Sequence, residues 1–154
     1  MEVMTVKRKI ESTVLELTRQ YKTNDPFTIA DHIGIIVLAE DLGSVMGYYN
    51  TAFRQRMIHI NENLPSGLRN YTAAHELGHA ILHEKLNTAF LRKNTYFSLD
   101  KLERQANLFA ANLLISDYDL LENSDLTTEQ FSQLSGYPIE LIHLRLEYYG
   151  FHVI

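Results

Sequence analysis

A short polar motif interrupts an otherwise apolar stretch of this chain: residues 75–79 read His-Glu-Leu-Gly-His. The residues around the motif are small or aliphatic: Ala73, Ala74, Leu77, Ala80, Ile81 and Leu82. This composition predicts a largely buried helix that opens at Pro65-Ser66 and runs to about His83. Because buried polar side chains are costly without hydrogen-bond partners, the fold must supply partners for two imidazoles and one carboxylate.

The spacing of the two histidines suits a single metal ion. On a helix, His75 and His79 lie one turn apart on the same face. Two imidazoles placed in this way can bind one zinc ion at about 2.0–2.1 Å each. Glu76 is rotated by about 100° from His75, so it flanks the ion and suits a general base that takes a proton from water. The alternative is a pair of core histidines whose hydrogen bonds are satisfied by protein groups.

A catalytic zinc ion usually has three protein ligands, so a third ligand is needed. His83 lies two turns, roughly 12 Å along the axis, from His75, and one ion cannot easily bind both. The best candidate is Glu103, at the edge of the apolar stripe of a helix with Asp100 as its predicted N-cap. Asn107, one turn further on, can accept the outer N–H of a ligand histidine. Alternatively, Glu103 only complements the positive end of the helix dipole.

The periodicity along the whole chain predicts an α+β fold: one mainly helical domain with a small sheet, antiparallel or mixed, packed against the metal-binding helix. We divide residues 1–154 into N-terminal helices (1–34), a small meandering sheet (35–61), two metal-site helices (64–115) and a C-terminal helical hairpin (126–150). The individual patterns predict strands at 35–38, 46–53 and 57–60, helices at 4–21, 26–33, 65–83, 100–115, 127–134 and 139–149, and a loop at 84–98.

The composition excludes several classes of function. The 154 residues include no cysteine, which excludes disulfides, a thiolate nucleophile and a cysteine-built zinc site. The net charge of -5 argues against broad electrostatic binding of nucleic acid. No apolar run approaches the roughly 20 residues that span a bilayer, and the N-terminus lacks the apolar core of a signal peptide. We therefore expect a soluble cytoplasmic protein without a membrane partner.

Two segments carry a resemblance to a known family. They read Tyr-Thr-Ala-Ala-His-Glu-Leu-Gly-His-Ala-Ile-Leu-His at 71–83 and Glu-Arg-Gln-Ala-Asn-Leu-Phe-Ala-Ala-Asn-Leu-Leu at 103–114. Together with Asp25-Pro26-Phe27 leading to Gly34, and with the C-terminal helical pair, they make the chain resemble the ImmA/IrrE metallopeptidases. That family often ends the second motif with Leu-Leu-Met-Pro, whereas Ile115-Ser116 stands here. The departure changes the exit from a helix and leaves the chemistry unaffected.

The resemblance implies a zinc-binding cytoplasmic endopeptidase. Members of the family cleave helix-turn-helix repressors, so the expected partner is a repressor of a phage or mobile element whose cleavage relieves repression. Carried over residue by residue, His75, His79 and Glu103 are metal ligands and Glu76 is the catalytic base.

The alternative function is a non-catalytic, zinc-containing regulator that acts by binding a transcription factor. Residues 126–150 could pass for a helix-turn-helix, but Arg145 is their only lysine or arginine, against three glutamates. Because contact with phosphates needs basic residues, we expect a packed hairpin and no direct contact with nucleic acid. Structural zinc sites are generally closed and rich in cysteine, whereas two histidines and one carboxylate leave a place for water, which favours catalysis.

An endopeptidase also needs a surface that holds an extended peptide. The predicted strand at 57–61 arrives just before the metal helix, and a strand with one open edge can pair with a peptide backbone. The alternative is a central strand that is already paired on both sides. Tyr71, His83 and Tyr96 lie near the motifs, but the pattern assigns none of them as the oxyanion stabiliser.

Overall fold

The computed structural model describes residues 2–84 and 99–149. Within these residues the chain forms α1 (Glu2–Tyr21), α2 (Pro26–His32), β1 (Ile36–Glu40), β2 (Gly47–Ala52), β3 (Gln55–Asn61), α3 (Ser66–Leu82), α4 (Leu99–Leu114), α5 (Asp117–Glu122), α6 (Thr128–Ser135) and α7 (Ile139–Leu144), which continues as a π-helical turn (Arg145–Tyr149). The predicted mainly helical α+β class is confirmed. From residue 85 onward, the predicted loop lies outside the described residues, as does Tyr96.

The N-terminal helices end and begin close to the predicted positions. Asp25 caps α2, because its carboxylate accepts hydrogen bonds from the backbone N–H groups of Phe27 and Thr28. Pro26 occupies the first turn, where its missing N–H costs nothing. The chain then turns through Gly34 at φ 81°, a left-handed conformation that favours glycine, and enters β1.

The three strands form a mixed sheet in the order β1-β3-β2. β1 is parallel to β3, with Ile36 opposite Met57, and β2 is antiparallel to β3, with Tyr48 opposite His59. The predicted meander is therefore wrong, because β3 inserts between its two predecessors. The predicted open edge at 57–61 is also wrong, because β3 is paired on both sides. Its last four residues are all buried, as expected of a central strand.

Helix α3 lies at the centre of the fold, with contacts to β2 and β3 and to α4. Because α3 packs against the sheet and against α4, its residues there are small or aliphatic. Ala73, Ala74, Leu77 and Ala80 are all at most 2% exposed. The start of α3 approaches the turn of the C-terminal hairpin closely. A Cβ atom added to Gly67 would lie 2.5 Å from the Gly136 Cα atom, so this crossing requires glycine.

One helix was not predicted from the sequence. α5 begins after Ser116, whose side chain accepts from the Asp119 backbone N–H while the Asp119 carboxylate accepts from the Ser116 N–H. This Ser-x-x-Asp capping box is the sequence signal that could have revealed the helix. Asp100, predicted as an N-cap, lies instead within α4, which begins at Leu99.

The C-terminal hairpin is joined to the segment that follows α4 through Arg145. Arg145 is 3% exposed, and its Nε donates to the Ile115 carbonyl oxygen at 2.6 Å. One of its terminal nitrogens lies 2.6 Å from an Asp117 carboxylate oxygen. The only arginine of this segment therefore points into the protein. Among the described helices, none has the length and apolar character needed to cross a membrane.

Candidate metal centre

Three predicted ligand side chains meet between α3 and α4. His75 and His79 project from one face of α3, and Glu103 projects from the first turns of α4. One carboxylate oxygen of Glu103 lies 3.0 Å from His75 Nε2, and the other lies 2.9 Å from His79 Nε2. One ligand atom from each residue falls within 4.8 Å of the others. The structure therefore brings together the three residues that the sequence singled out as ligands.

The chemistry of the donor set fits a zinc ion. Two imidazole nitrogens and one carboxylate oxygen are typical of catalytic zinc sites. In a tetrahedral site with bonds of about 2.0–2.1 Å, ligand atoms lie about 3.3 Å apart. The histidine nitrogens lie 2.9 and 3.0 Å from separate Glu103 oxygens, and one ligand atom from each residue lies within 4.8 Å of the others. Binding of an ion therefore requires the side chains to adjust to these distances.

Electrostatics favour a cation at this position. Burial lowers the pKa of His75, but its hydrogen bond to Glu103 and the nearby carboxylates outweigh burial and raise that pKa above its ordinary value. Burial likewise raises the pKa of Glu103, but hydrogen bonds to His75 and His79 hold the pKa of this carboxyl well below its usual range. Glu103 is therefore a carboxylate at neutral pH, and its negative charge faces two nitrogens.

The outer nitrogen of His75 is held by an amide. His75 Nδ1 donates to Asn107 Oδ1 at 2.7 Å, so Asn107 accepts from one of the two motif histidines, as predicted. The Tyr71 hydroxyl donates to the same oxygen at 2.9 Å. Because this oxygen can only accept, the Nδ1 atom of His75 carries a proton, so Nε2 is the nitrogen with which the neutral ring can bind a metal.

The outer nitrogen of His79 is held by a second histidine, which the sequence reasoning did not assign to any role. His79 Nδ1 lies 3.1 Å from His83 Nδ1, and His83 Nε2 lies 2.6 Å from Gln105 Oε1. Burial, the largest influence, lowers the pKa of His83 from its ordinary value, so the neutral imidazole is favoured. The four-residue spacing of His79 and His83 was the available signal, since it places both rings on one helix face.

Glu76 lies at the floor of a cleft beside these residues. It is 1% exposed. The cleft has a volume of about 310 Å³ and is lined by Val45, Met46, Gly47, Tyr71, Thr72, His75, Glu76 and Glu103. A second cleft of about 470 Å³ shares Tyr71 and Glu103 with the first and is walled by residues of α7. The candidate centre is therefore open between the start of β2 and the C-terminal hairpin.

The fold and the donor set of this centre are consistent with a metallopeptidase, and the comparison with known sequences shows the family. The chain belongs to the ImmA/IrrE family of metallopeptidases, and residues 30–147 match the IrrE N-terminal-like domain. It is 38% identical to the uncharacterized immunity region protein 2 of Bacillus phage phi105 over 150 residues, which cover 92% of this chain and 95% of that protein. It is 39% identical to Metallopeptidase ImmA of Bacillus subtilis strain 168 over 119 residues, which cover 76% of this chain and 67% of that protein.

Proposed function

We propose that this protein is a zinc-dependent endopeptidase that cleaves a helix-turn-helix repressor of a phage or mobile element and so relieves repression. The observation that carries the proposal is the convergence of His75, His79 and Glu103 next to a cleft with Glu76 at its floor. Similarity to Metallopeptidase ImmA and to a phage immunity region protein supports a protein substrate in phage regulation. The reaction then takes place in the cytoplasm, where such repressors bind DNA.

In this proposal, zinc is bound by His75 Nε2, His79 Nε2 and a Glu103 oxygen. A zinc ion in such a site acts as a Lewis acid toward a peptide carbonyl and lowers the pKa of water. The chain contributes the orientation of the ligands. Asn107 holds the ring of His75 from behind, and the contact between the two helices fixes Glu103 opposite both histidines.

Glu76 acts as the general base and then as the general acid. Its carboxylate takes a proton from the water that attacks the carbonyl carbon of the scissile peptide. As the bond between carbon and nitrogen breaks, the same proton passes to the leaving amine nitrogen. Burial of Glu76 beside His75 keeps this carboxylate away from bulk water and close to the ligand set.

The shape of the cleft favours an extended substrate. One wall is formed by Val45, Met46 and Gly47 at the approach to β2, and the opposite wall by α3 and Glu103. A volume of about 310 Å³ admits a few side chains and not a folded domain. We therefore expect the cut to fall in a linker or a locally unfolded stretch of the repressor.

The test is cleavage of a candidate repressor from the same genetic element, followed by intact-mass spectrometry of the fragments. Zinc-loaded wild-type protein is expected to cut one bond, giving two fragments whose masses sum to the repressor plus one water. Glu76→Gln keeps the size of the side chain but removes the base, so it should cut at least about 100-fold more slowly while retaining zinc. Glu122→Gln, far along the chain on α5, is the matched control and should cut like wild type.

Three outcomes would contradict the proposal. A Glu76→Gln protein that cuts as fast as wild type would show that Glu76 is not the base, and one that loses zinc would make Glu76 a ligand. Binding of the repressor by wild-type protein without any cleavage would favour the non-catalytic regulator.

A further inference from the structure

We propose that His83 and Gln105 are positioning residues for the metal ligand His79. In this proposal, His83 accepts the outer N–H of His79 and is itself held by Gln105. The inference rests on the metal site proposed above and assigns a role to two residues that the peptidase mechanism does not otherwise use.

The backbone turns His83 toward His79. His83 follows the last residue of α3 and has φ -135° and ψ 49°, which departs from the helical course. Its ring lies 5.3 Å from that of His79, measured between centroids, with 48° between the planes. The Nδ1 atoms of the two rings are 3.1 Å apart, while the other nitrogen of His83 lies 2.6 Å from Gln105 on α4.

One arrangement of protons satisfies all these contacts when His79 binds a metal through Nε2. The proton of neutral His79 is then on Nδ1 and must be donated to the bare Nδ1 of His83. Neutral His83 therefore carries its proton on Nε2 and donates it to Gln105 Oε1. Each ring thus fixes the tautomer of the next, and the ligand nitrogen of His79 stays free of a proton.

The reverse arrangement fails at the contact between the rings. If the Gln105 amide nitrogen donated to His83, the proton of neutral His83 would be on Nδ1, directly opposite the Nδ1–H of His79. Two N–H groups would then face each other at 3.1 Å. The proton arrangement of the metal-loaded protein therefore depends on the oxygen of Gln105 facing His83.

The two ligand histidines are thus held from behind by neutral acceptors, an amide for His75 and an imidazole for His79. Neither acceptor adds a negative charge to the site. Their contribution is the ring orientation and the tautomer, and loss of such a partner typically weakens metal binding 10–100-fold.

The first test measures zinc affinity by chelator competition. His83→Leu preserves bulk but removes the acceptor, so affinity should fall about 10–100-fold. His83→Asn places its Oδ1 near the position of the lost Nδ1, and we expect it to restore affinity to within about threefold of wild type. Glu84→Gln, at the exposed neighbouring position, is the control and should match wild type. Thermal unfolding of each metal-free variant verifies that it folds.

The second test reads the tautomers by long-range proton–nitrogen NMR of the zinc-loaded protein. We expect the His79 proton on Nδ1 and the His83 proton on Nε2. A His83 proton on Nδ1 would overturn the proposal, and so would wild-type zinc affinity in His83→Leu. Equal losses in His83→Leu and His83→Asn would also overturn it, because they would indicate direct ligation or packing. A wild-type protein that binds no zinc would instead refute the metal site itself.

Discussion

Among the described residues, buried histidines take part in two clusters, and one of these has the donor set of a candidate metal site. On the sheet, His59 is 7% exposed and lies between Glu40 on β1 and Asn50 on β2. Its Nδ1 is 3.1 Å from a Glu40 oxygen, and its Nε2 is 3.0 Å from Asn50 Oδ1. Its ring stacks on Tyr48, with centroids 4.3 Å apart. Every polar atom of this ring has its own protein partner.

The centre between α3 and α4 differs because its atoms converge. There the Nε2 atoms of His75 and His79 share a single carboxylate, that of Glu103. Because the two imidazoles share one partner, a cation bound among them could interact with both rings and with the carboxylate. Each ring nitrogen of His59 already has a separate protein partner, so a cation would add no interaction there. Burial of a histidine is therefore common to both clusters, and the convergence of two histidine nitrogens on one carboxylate distinguishes the candidate metal centre.

The largest expected effect comes from removing a ligand. His79→Ala deletes one of three ligands, so the purified protein should lose its roughly one equivalent of zinc and all cleavage with it. Metal content by elemental analysis after dialysis is the measurement. A full equivalent of zinc in this variant would contradict the assignment of His79 as a ligand. The α3–α4 cluster would then be, like the one on the sheet, a set of histidines satisfied by protein groups.

A smaller effect is expected from the residue behind His75. Asn107→Leu removes the oxygen that accepts from His75 and from the Tyr71 hydroxyl, so zinc should bind about 10–100-fold more weakly. Asn112→Leu, a similar change more than one turn further along α4, is the control and should bind zinc normally. Chelator competition measures both variants. Equal affinities would mean that the orientation of His75 does not depend on Asn107.

The helices of the candidate metal centre could be predicted because their signals are local. The four-residue spacing of His75 and His79 and the apolar stripe of α4 are read within a few turns of chain. The outer partner of His75 followed from the same logic, since Asn107 lies one turn beyond Glu103. The contact of His83 with Gln105 was not predicted, because it joins two helices through residues 22 positions apart and depends on how α3 ends.

The order and pairing of the strands could not be predicted from local sequence patterns. The segment 57–61 was predicted as a strand, and it is one, but its pairing partners depend on contacts distant in sequence. An order of β1-β3-β2 cannot be distinguished from a meander by the alternation of residues within each strand. The same limit applies to His59, since an imidazole in an Ile-His-Ile segment gives no sign of whether its partners will be an amide and a carboxylate or a metal.

The smallest effect on zinc binding is expected from a substitution in the sheet cluster, in contrast to the substitutions in the candidate metal centre. His59→Leu removes the hydrogen bonds to Glu40 and Asn50 while keeping a bulky side chain against Tyr48. Because the Glu40 side chain is already 40% exposed and can return to water, the free energy of unfolding should fall by only about 1–2 kcal/mol. Urea unfolding of the metal-free protein measures this loss. Zinc affinity should equal that of wild type, since His59 shares no partner with the three proposed ligands. A His59→Leu protein that folds but binds zinc poorly would mean that the two clusters are coupled, and that convergence of donors does not separate the candidate metal centre from the sheet cluster.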